Sequence, residues 1–209
     1  MNLKIIPYTL GPLENNTFLI IDKLTKNAAI VDPSFGSEKI LQDIGDELFI
    51  NQIWCTHAHF DHIAGINELI PHFTQPIKIF LHKNDLPLWE SNGGANIFGF
   101  PFEIISRPTN LLQDKDSFKL GELEINTFLT PGHTPGHIIY SINDENIVFV
   151  GDLIFRMSVG RTDLPGGSHV QLLRSIDEYI KPLPDSTRLL SGHGPETTVG
   201  YEKRFNPFL

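Results

Sequence analysis

The sequence predicts an α/β protein in which two β-sheets pack against each other and helices cover their outer faces. Short apolar runs with strand character recur through all 209 residues, and they arrive in two batches, one in each half of the chain. Each batch is accompanied by segments whose apolar residues follow helical spacing, which is the pattern expected of layered sheets and helices. No Ser- or Pro-rich linker divides the chain, so we expect residues 1–209 to form one domain.

The first half predicts four strands and two helices. LKIIPYTL, NTFLIID and AAIVDP are strand-like, and the polar segment KLTKN between the second and third predicts a hairpin. The segment from Ser37 to Leu48 has helical spacing, with Ser37 as its expected N-cap. FINQIWCT predicts a buried strand, and HIAGINELI predicts a helix that begins at or just after His62.

The second half repeats this arrangement. PIKIFLH predicts a strand, NDLPLWES a short helix, and SFKLGELEINTFLTP two strands around a turn at Gly121. The Gly- and Pro-rich segment GGANIFGFPFEIISRPTN predicts no regular structure. HIIYSI, NIVFVGD and TRLLSGH predict further strands, and a helix is expected from about Ser168 to Ile180.

Composition and charge exclude several classes of protein. The net charge of −9 and the sequence pI near 5.4 argue against nucleic acid as the natural partner, since phosphate binding depends on basic surface. The single cysteine, Cys55, cannot form an intramolecular disulfide, and we expect it to be small buried filler. No apolar run approaches the roughly 18 residues of a membrane span, and the N-terminal stretch lacks the apolar region of a signal peptide. We therefore expect a cytoplasmic protein that does not contact membranes.

The segment CTHAHFDHIAG carries the strongest functional signal. It places His57, His59, Asp61 and His62 within six positions, where a predicted strand ends and a helix begins. Taken alone, Asp61 is explained equally well as the N-cap of that helix. The crowding of imidazoles predicts a metal site.

Three later stretches have the same character. In LTPGH, FVGD and LLSGHG an apolar strand leads to His133, Asp152 and His193 respectively. A lone histidine at a strand end is usually a hydrogen-bonded structural residue, but all these side chains occupy equivalent exits from strands. Zinc and similar ions bind histidine nitrogen and carboxylate oxygen, and seven ligands suit two ions better than one tetrahedral ion. Asp152 is the expected shared ligand because a carboxylate has two oxygens. The seven are His57, His59, Asp61, His62, His133, Asp152 and His193.

The motifs THAHFDH, TPGH, GD and SGHG, in this order, resemble the metallo-β-lactamase superfamily, and the resemblance covers nearly the whole chain. The longer GDLIFRMSVGRTDLPGG is similar to its glyoxalase II-like branch of small single-domain bacterial hydrolases. The resemblance implies a four-layer αββα sandwich with the metals along one edge of the two sheets. It also implies which residues bind each ion: His57, His59 and His133 the first, Asp61, His62 and His193 the second, with Asp152 bridging.

The resemblance further implies the chemistry. Two divalent metal ions, expected to be zinc with iron or manganese as alternatives, would activate a bridging water for attack on a small-molecule thioester. Asp61 and Asp152 then belong to the catalytic centre, and Asp32 of IVDP is expected to support the ligands by hydrogen bonding. The expected activity is that of a hydroxyacylglutathione hydrolase, and we expect a monomer or small homo-oligomer.

Four further residues have open roles. Arg161 and Asp163 of SVGRTDLPGG are expected to form an ion pair that pins the loop, with contact to an anionic substrate as the alternative. Arg156 either faces the cleft or is solvated. His137 follows His133 by four positions with Pro135 between them, which disfavours a helical pair of ligands, so we expect His137 to form hydrogen bonds instead.

The chain also departs from full-length glyoxalase II enzymes, which carry a helical segment after the last metal histidine for binding glutathione. The few residues after His193 cannot form such a domain, so specificity for glutathione is not implied, and the SNGGANIFGFPF segment is a candidate to cover the cleft instead.

Three alternative functions stay open. Persulfide dioxygenases of the same fold bind one iron through a triad that maps to His57, His133 and Asp152. The second alternative is a nuclease of the same superfamily, which the acidic pI disfavours. The third is a non-enzymatic metal-binding scaffold, although members of the fold that lose activity usually lose metal ligands as well.

Overall fold

The first half of the chain forms a six-stranded sheet. The structure is a computed structural model that describes residues 2–44 and 47–209. Strands β1 to β3 are antiparallel, which confirms the predicted hairpin, and β3 to β6 are parallel. The strands, which lie in the sheet in chain order, are β1 Leu3–Leu10, β2 Asn15–Asp22, β3 Asn27–Val31, β4 Phe49–Trp54, β5 Lys78–His82 and β6 Asn110–Leu112.

The second half forms another six-stranded sheet and a separate two-stranded ribbon. The strands are β7 Ser117–Leu120, β8 Leu123–Leu129, β9 Ile138–Ile142, β10 Ile147–Gly151, β11 Ile154–Phe155, β12 Ser158–Val159, β13 Arg188–Ser191 and β14 Thr197–Thr198. The second sheet has the order β14-β13-β10-β9-β8-β7, and β11 pairs with β12. Because β10 is parallel to β13 and antiparallel to β9, which is antiparallel to β8, strands β8, β10 and β13 end at the same edge of the sheet.

Helices cover the outer face of each sheet. They are α1 Glu38–Asp43, α2 Phe60–Ile63, α3 Ile66–Leu69, α4 Leu86–Glu90, α5 His169–Ser175 and α6 Val199–Phe205. Helices α1 to α4 bury apolar side chains on the first sheet, whereas α5 and α6 pack on the second. The predicted four-layer αββα sandwich is therefore confirmed. Within the described ranges, no helix has the length and apolar character required to cross a bilayer.

An aromatic core lies between the two sheets. Trp54 of β4 stacks on Tyr140 of β9 with ring centroids 5.4 Å apart, and Phe18 of β2 meets Phe149 of β10 edge to face at 5.3 Å. The buried Tyr140 hydroxyl donates to the carbonyl oxygen of Cys55 over 2.9 Å. This bond fixes the end of β4, immediately before the histidine-rich segment.

The first predicted helix is shorter in the structure than expected. Helix α1 ends at Asp43, and Ile44 is extended; residues 45 and 46 of the predicted segment lie outside the described residues. Ser37 precedes the helix, but its hydroxyl donates to the carbonyl oxygen of Ser34 over 2.7 Å and makes no capping bond. The predicted capping role of Ser37 was wrong because its backbone is already helical (φ −63°, ψ −16°) rather than extended, so its oxygen does not face the N–H groups of the first turn.

The helix after the histidine-rich segment begins earlier than predicted and is interrupted. It begins at Phe60, and the backbone turns at Gly65 before α3. Gly65 donates its N–H to the carbonyl oxygen of Pro33 over 2.9 Å, and a Cβ at this position would collide with the Ser34 carbonyl oxygen. The close approach of two backbones therefore breaks a helix that the apolar spacing alone makes continuous.

Several short elements were missed by the sequence patterns. They are β6, the β11–β12 ribbon, β14, α6 and short 3₁₀ turns between Asn92 and Phe98, which the left-handed Gly93 and Gly94 interrupt. Helix α6 begins where the Thr198 hydroxyl accepts the Tyr201 N–H over 3.2 Å. Its seven residues include three charged side chains, so they present little of the apolar periodicity by which helices are found.

Candidate metal centre

The predicted ligands converge at one edge of the sandwich. The Ile138 N–H donates to the carbonyl oxygen of Thr56 over 2.8 Å, and this bond joins the segment after β4 in the first sheet to the edge of the second. Each ligand segment directly follows a strand end or lies in α2. His57 and His59 follow β4, Asp61 and His62 lie in α2, His133 follows β8, Asp152 follows β10, and His193 follows β13.

Three histidines form the first group. His133 Nε2 lies 2.8 Å from His59 Nδ1 and 3.2 Å from His57 Nε2, and all three rings are buried. Neutral imidazole nitrogens that meet in this way need a proton or a cation between their lone pairs. The group therefore has the arrangement of a cation site.

The second group lies beside the first. Asp61 Oδ2 lies 3.2 Å from His193 Nε2 and 3.5 Å from His62 Nε2. His62 is fully buried, whereas the His193 side chain is 27% exposed and faces the open side. One carboxylate and two imidazoles thus meet where solvent and a small molecule can reach them.

Asp152 lies between the two groups. Its Oδ1 is 3.5 Å from His62 Nε2, and its Oδ2 is 3.5 Å from His133 Nε2 and 3.8 Å from His193 Nε2. Oδ1 is buried and has no hydrogen-bond partner among the residues that the structure describes. A buried carboxylate oxygen without a donor is costly, so this atom fits a cation.

The donor set fits divalent metal ions. Three overlapping groups bring their ligand atoms within 4.8 Å of one another: His57, His59 and His133; His57, His62 and Asp152; Asp61, His62 and His193. The donors are imidazole nitrogens and carboxylate oxygens, which suit zinc, iron and manganese. All seven predicted ligands belong to these groups.

Asp32 supports one histidine of each group. Its Oδ2 lies 3.0 Å from His62 Nδ1 and accepts the Thr56 hydroxyl proton over 2.7 Å. The same Thr56 oxygen lies 3.0 Å from His57 Nδ1, so a proton on that nitrogen is donated to it. Both histidines are thereby held with Nε2 directed into the centre.

Backbone carbonyl groups orient two further histidines. His133 Nδ1 donates to the carbonyl oxygen of Arg161 over 2.8 Å, and His193 Nδ1 donates to that of Leu13 over 3.0 Å. Each ring therefore carries its proton on Nδ1 and presents the Nε2 lone pair to the centre. The amide nitrogen of the buried Asn15 lies 3.0 Å from the ring nitrogens of His62.

The two groups differ in protonation. Burial, assisted by the neighbouring imidazoles, lowers the pKa of His57 and His59 well below the usual value. Burial also acts to lower the pKa of His62, but the carboxylates of Asp61, Asp152 and Asp32 outweigh it and raise the pKa to about 10. The first group is thus ready to bind a cation, whereas His62 must lose a proton to do so.

An apolar cleft of about 410 Å³ opens over the centre. His59, Asp61, His133, Asp152 and His193 form its floor. A volume of this size accepts a small molecule. The apolar walls come from Leu13, Phe60, Phe98, Phe155, Val159 and Leu164. Phe98 belongs to the Gly-rich segment SNGGANIFGFPF, which was predicted as a candidate to cover the cleft.

The two predicted arginines occupy different surfaces. Arg161 lines the cleft, and its Nε and Nη2 donate to the Asp163 carboxylate over 2.8 and 2.7 Å. The predicted ion pair is confirmed, although it also places a guanidinium at the cleft. Arg156 is exposed and does not line the cleft. Its guanidinium lies 4.5 Å from the centroid of the Tyr201 ring.

The sequence patterns missed part of the supporting shell of the centre. His137 forms hydrogen bonds as predicted, but Asn15 and Asp85 were not identified. Asn15 lies in ENNTF at the start of β2, and Asp85 in HKNDL after β5, so neither stands near a ligand in the chain. Asn15 is the first residue of β2 and Asp85 lies three residues after β5, and neither position carries a local pattern that signals its role.

Comparison with known proteins identifies close relatives of this fold. The family model described as the metallo-beta-lactamase superfamily matches residues 10–193. A protein of Haemophilus influenzae named hydroxyacylglutathione hydrolase GloC is 37% identical over 213 residues, which cover 100% of this chain and 98% of the relative. The crystal structure of BLEG-1 B3 metallo-beta-lactamase has a TM-score of 0.91 at 37% identity and 99% coverage of both chains. The structure of TTHA1623 in a di-iron-bound form has a TM-score of 0.86 at 36% identity and covers 98% of this chain and 100% of its own.

Proposed function

The chain belongs to the metallo-β-lactamase superfamily, and from this premise we propose that it hydrolyses small-molecule thioesters of the hydroxyacylglutathione type at a centre of two metal ions. The observation that carries the proposal is the position of Asp152 between two groups of ligands, with a buried oxygen that no described donor satisfies. The name of the 37% identical GloC relative supports the choice of thioester.

The ligand assignment follows the two groups. His57, His59 and His133 would hold one ion, and Asp61, His62 and His193 the other. Asp152 would contact both ions. When bound, two such ions lower the pKa of a water molecule toward neutrality and polarise the carbonyl oxygen under attack. Zinc is the proposed metal, and the di-iron form of the TTHA1623 structure supports iron as the alternative.

The protein's own residues position the substrate and the ligands. Asp32 and the carbonyl groups of Arg161 and Leu13 hold the imidazoles in one orientation, which limits the reorganisation needed during the reaction. The apolar walls of the cleft offer a surface on which the acyl group packs. A thiolate is a good leaving group, so hydrolysis of a thioester does not demand a dedicated general acid.

A substrate panel tests this proposal. The protein reconstituted with Zn²⁺ is expected to hydrolyse S-lactoylglutathione, and Asp152→Ala is expected to lower kcat/KM by at least about a thousandfold because it removes the shared carboxylate. His72→Ala serves as the control, since His72 is exposed and lies outside the potential metal groups. Hydrolysis of a β-lactam without any thioester would contradict the substrate class. Oxygen consumption with glutathione persulfide by an iron-loaded protein would establish the dioxygenase instead.

Three properties stay predictions from the sequence alone. They are the organisation of residues 1–209 as one domain, a cytoplasmic location, and a monomeric or small homo-oligomeric state. Binding of a small molecule is consistent with the cleft volume, and the acidic net charge of −9 disfavours nucleic acid.

A further inference from the structure

Asp85 is a buried carboxylate close to the metal centre that belongs to none of the groups of potential ligands. It follows β5 and occupies the N-cap position of α4, where an aspartate ordinarily accepts a hydrogen bond from the first turn of its own helix. Here the side chain makes no such bond. The carboxylate instead contacts two loops that are distant in the sequence.

Both carboxylate oxygens are used by those loops. Oδ2 accepts the Ala58 N–H over 3.0 Å and the Thr134 hydroxyl proton over 2.8 Å. Oδ1 accepts the Gly136 N–H over 2.6 Å. Ala58 lies between His57 and His59 in the chain, and Thr134 directly follows His133. One side chain therefore connects the two segments that carry the first group of histidines.

The packing around Asp85 leaves little room for these loops to shift. A Cβ on Gly136 would lie 2.6 Å from Asp85 Oδ1 and 2.5 Å from the Asp85 backbone nitrogen. Ala58 and Thr134 are also fully buried. The hydrogen bonds to Asp85 thus hold the two histidine-bearing segments together beyond the Ile138–Thr56 backbone bond, at the positions directly beside the ligands.

A carboxylate has properties here that a neutral amide lacks. Each carboxylate oxygen accepts one backbone N–H, whereas an asparagine offers one oxygen, so its NH₂ group would face either the Ala58 N–H or the Gly136 N–H, a donor against a donor. Burial disfavours the charged form and raises the pKa of Asp85 to about 6, even though hydrogen bonds from Thr134, Ala58 and Gly136 act to lower it. A costly buried charge at this position points to a role other than stability.

We propose that Asp85 is a positioning residue for the metal centre, whose carboxylate fixes the loop of His57 and His59 against the loop of His133 so that three imidazole nitrogens converge on one ion. The inference rests on the metal-binding part of the proposed function and does not depend on the thioester as substrate. Asp85 acts through hydrogen bonds to the backbone and to Thr134.

The chain contains a closely matched control. Asp22 is also fully buried and also accepts three hydrogen bonds: from the Leu24 N–H at 2.9 Å, the Glu122 N–H at 2.8 Å and the Thr25 hydroxyl at 2.7 Å. It connects the turn after β2 to the turn between β7 and β8, and it belongs to none of the potential metal groups. Asp22→Asn thus repeats the chemical change of Asp85→Asn outside the metal centre.

The experiment compares metal retention by the wild type, Asp85→Asn and Asp22→Asn. Each protein is loaded with Zn²⁺ and titrated with a chelator, and the Co²⁺-substituted forms are compared by their visible absorption, which reports ligand geometry. Asp85→Asn is expected to weaken the affinity for one ion by about 10- to 100-fold and to alter the Co²⁺ spectrum. Asp22→Asn is expected to retain both ions and the wild-type spectrum, even where its melting temperature falls.

Two results would overturn the inference. One is wild-type metal affinity and an unchanged Co²⁺ spectrum in Asp85→Asn. The other is an equal loss of metal in both variants, which would mean that general destabilisation is responsible. If Asp85→Asn does not fold, Thr134→Val and its counterpart Thr25→Val each remove one hydroxyl donor and permit the same comparison. Because metal retention is measured without substrate, absence of thioester hydrolysis would refute the proposed reaction and leave this test intact.

Discussion

The backbone N–H of Asp152 donates a hydrogen bond of 3.1 Å to Nε2 of His137. Since this nitrogen is the acceptor, the ring proton lies on Nδ1, which is 2.9 Å from the Thr130 hydroxyl oxygen. Both nitrogens of the His137 ring are therefore engaged. The second histidine of TPGHTPGH holds the loop that carries Asp152, whereas the first, His133, faces the centre.

This division of roles predicts different effects for the two histidines. His137→Ala is expected to lower the free energy of unfolding by about 1–3 kcal/mol, because it leaves the buried Asp152 N–H without an acceptor. Its metal content per chain should fall less than that of His133→Ala, because His137 contributes no ligand atom and only holds the Asp152 loop. His133→Ala should lose metal, as elemental analysis of both purified variants will measure. Equal loss of metal from the two variants would contradict the assignment of His137.

Gly192 approaches the centre so closely that any side chain would disturb it. A Cβ at this position would lie 2.7 Å from His62 Cε1 and would also collide with Asp152 Oδ1. Gly192→Ala is thus expected to displace both ligands and to lower metal content and hydrolysis together. Ser191→Ala at the adjacent position is the control, since the Ser191 hydroxyl is buried without a described hydrogen-bond partner. Full metal occupancy in Gly192→Ala would refute the close approach of this loop to the ligands.

Arg161 brings positive charge to the cleft, although Asp163 pairs with it. Arg161→Ala is expected to raise KM for a glutathione thioester by about two- to fivefold, the effect of losing an exposed ionic contact, with little change in kcat. The neutral N-acetylcysteamine thioester of the same acyl group should show no such change. Arg156→Ala is the control, because its guanidinium stacks on Tyr201 away from the cleft. An equal rise in KM for both substrates would exclude a role for the charge of Arg161.

Asp85 gives the stability of the metal-free protein a defined pH dependence. Burial raises its pKa from 3.8 to about 6, so the folded state binds this proton more tightly than the unfolded state. Its contribution to stability is fully present below pH 3.8 and is lost as the pH rises through 6. At about 1.4 kcal/mol per pKa unit, the unfolding free energy of the wild type relative to Asp85→Asn should fall by about 3 kcal/mol across this window.

Urea unfolding of the chelator-treated proteins between pH 3.5 and 7 (roughly the window set by the two pKa values) measures this difference. Asp22→Asn provides a control of opposite sign. Burial acts to raise the pKa of Asp22, but hydrogen bonds from Glu122, Thr25 and Leu24 outweigh it and lower the pKa. The stability contributed by Asp22 is therefore lost as the pH falls. A pH-independent difference between the wild type and Asp85→Asn would contradict the raised pKa.

The sequence predicted the features that repeat along the chain. The longer strands are recognisable because their apolar runs are bounded by turns, and the ligands were found because each follows such a strand or lies in HxHxDH. Convergence of the ligands on one edge of the two sheets was implied only by the resemblance to a known family, because strand positions in the sequence do not say which edge of which sheet each strand end reaches. The break of the helix at Gly65 was not predictable from the sequence pattern, because it depends on contact with Pro33 and Ser34 in another segment.

The supporting residues were harder to predict for the same reason. Asp85 contacts Ala58 and Thr134 across 27 and 49 positions of sequence, and nothing near it in the chain indicates either contact. Asn15 reaches His62 across 47 positions. Single polar residues that act over such distances carry no local pattern, whereas Asp32 was identified only because its motif is shared with a known family.

The most direct test of the two-metal hydrolytic centre is the metal content per chain, measured by elemental analysis on protein purified without added metal or chelator. We expect about two ions per chain, mostly zinc, because seven nitrogen and oxygen ligands meet around Asp152. One iron per chain, with the Asp61, His62 and His193 group empty, would contradict the account.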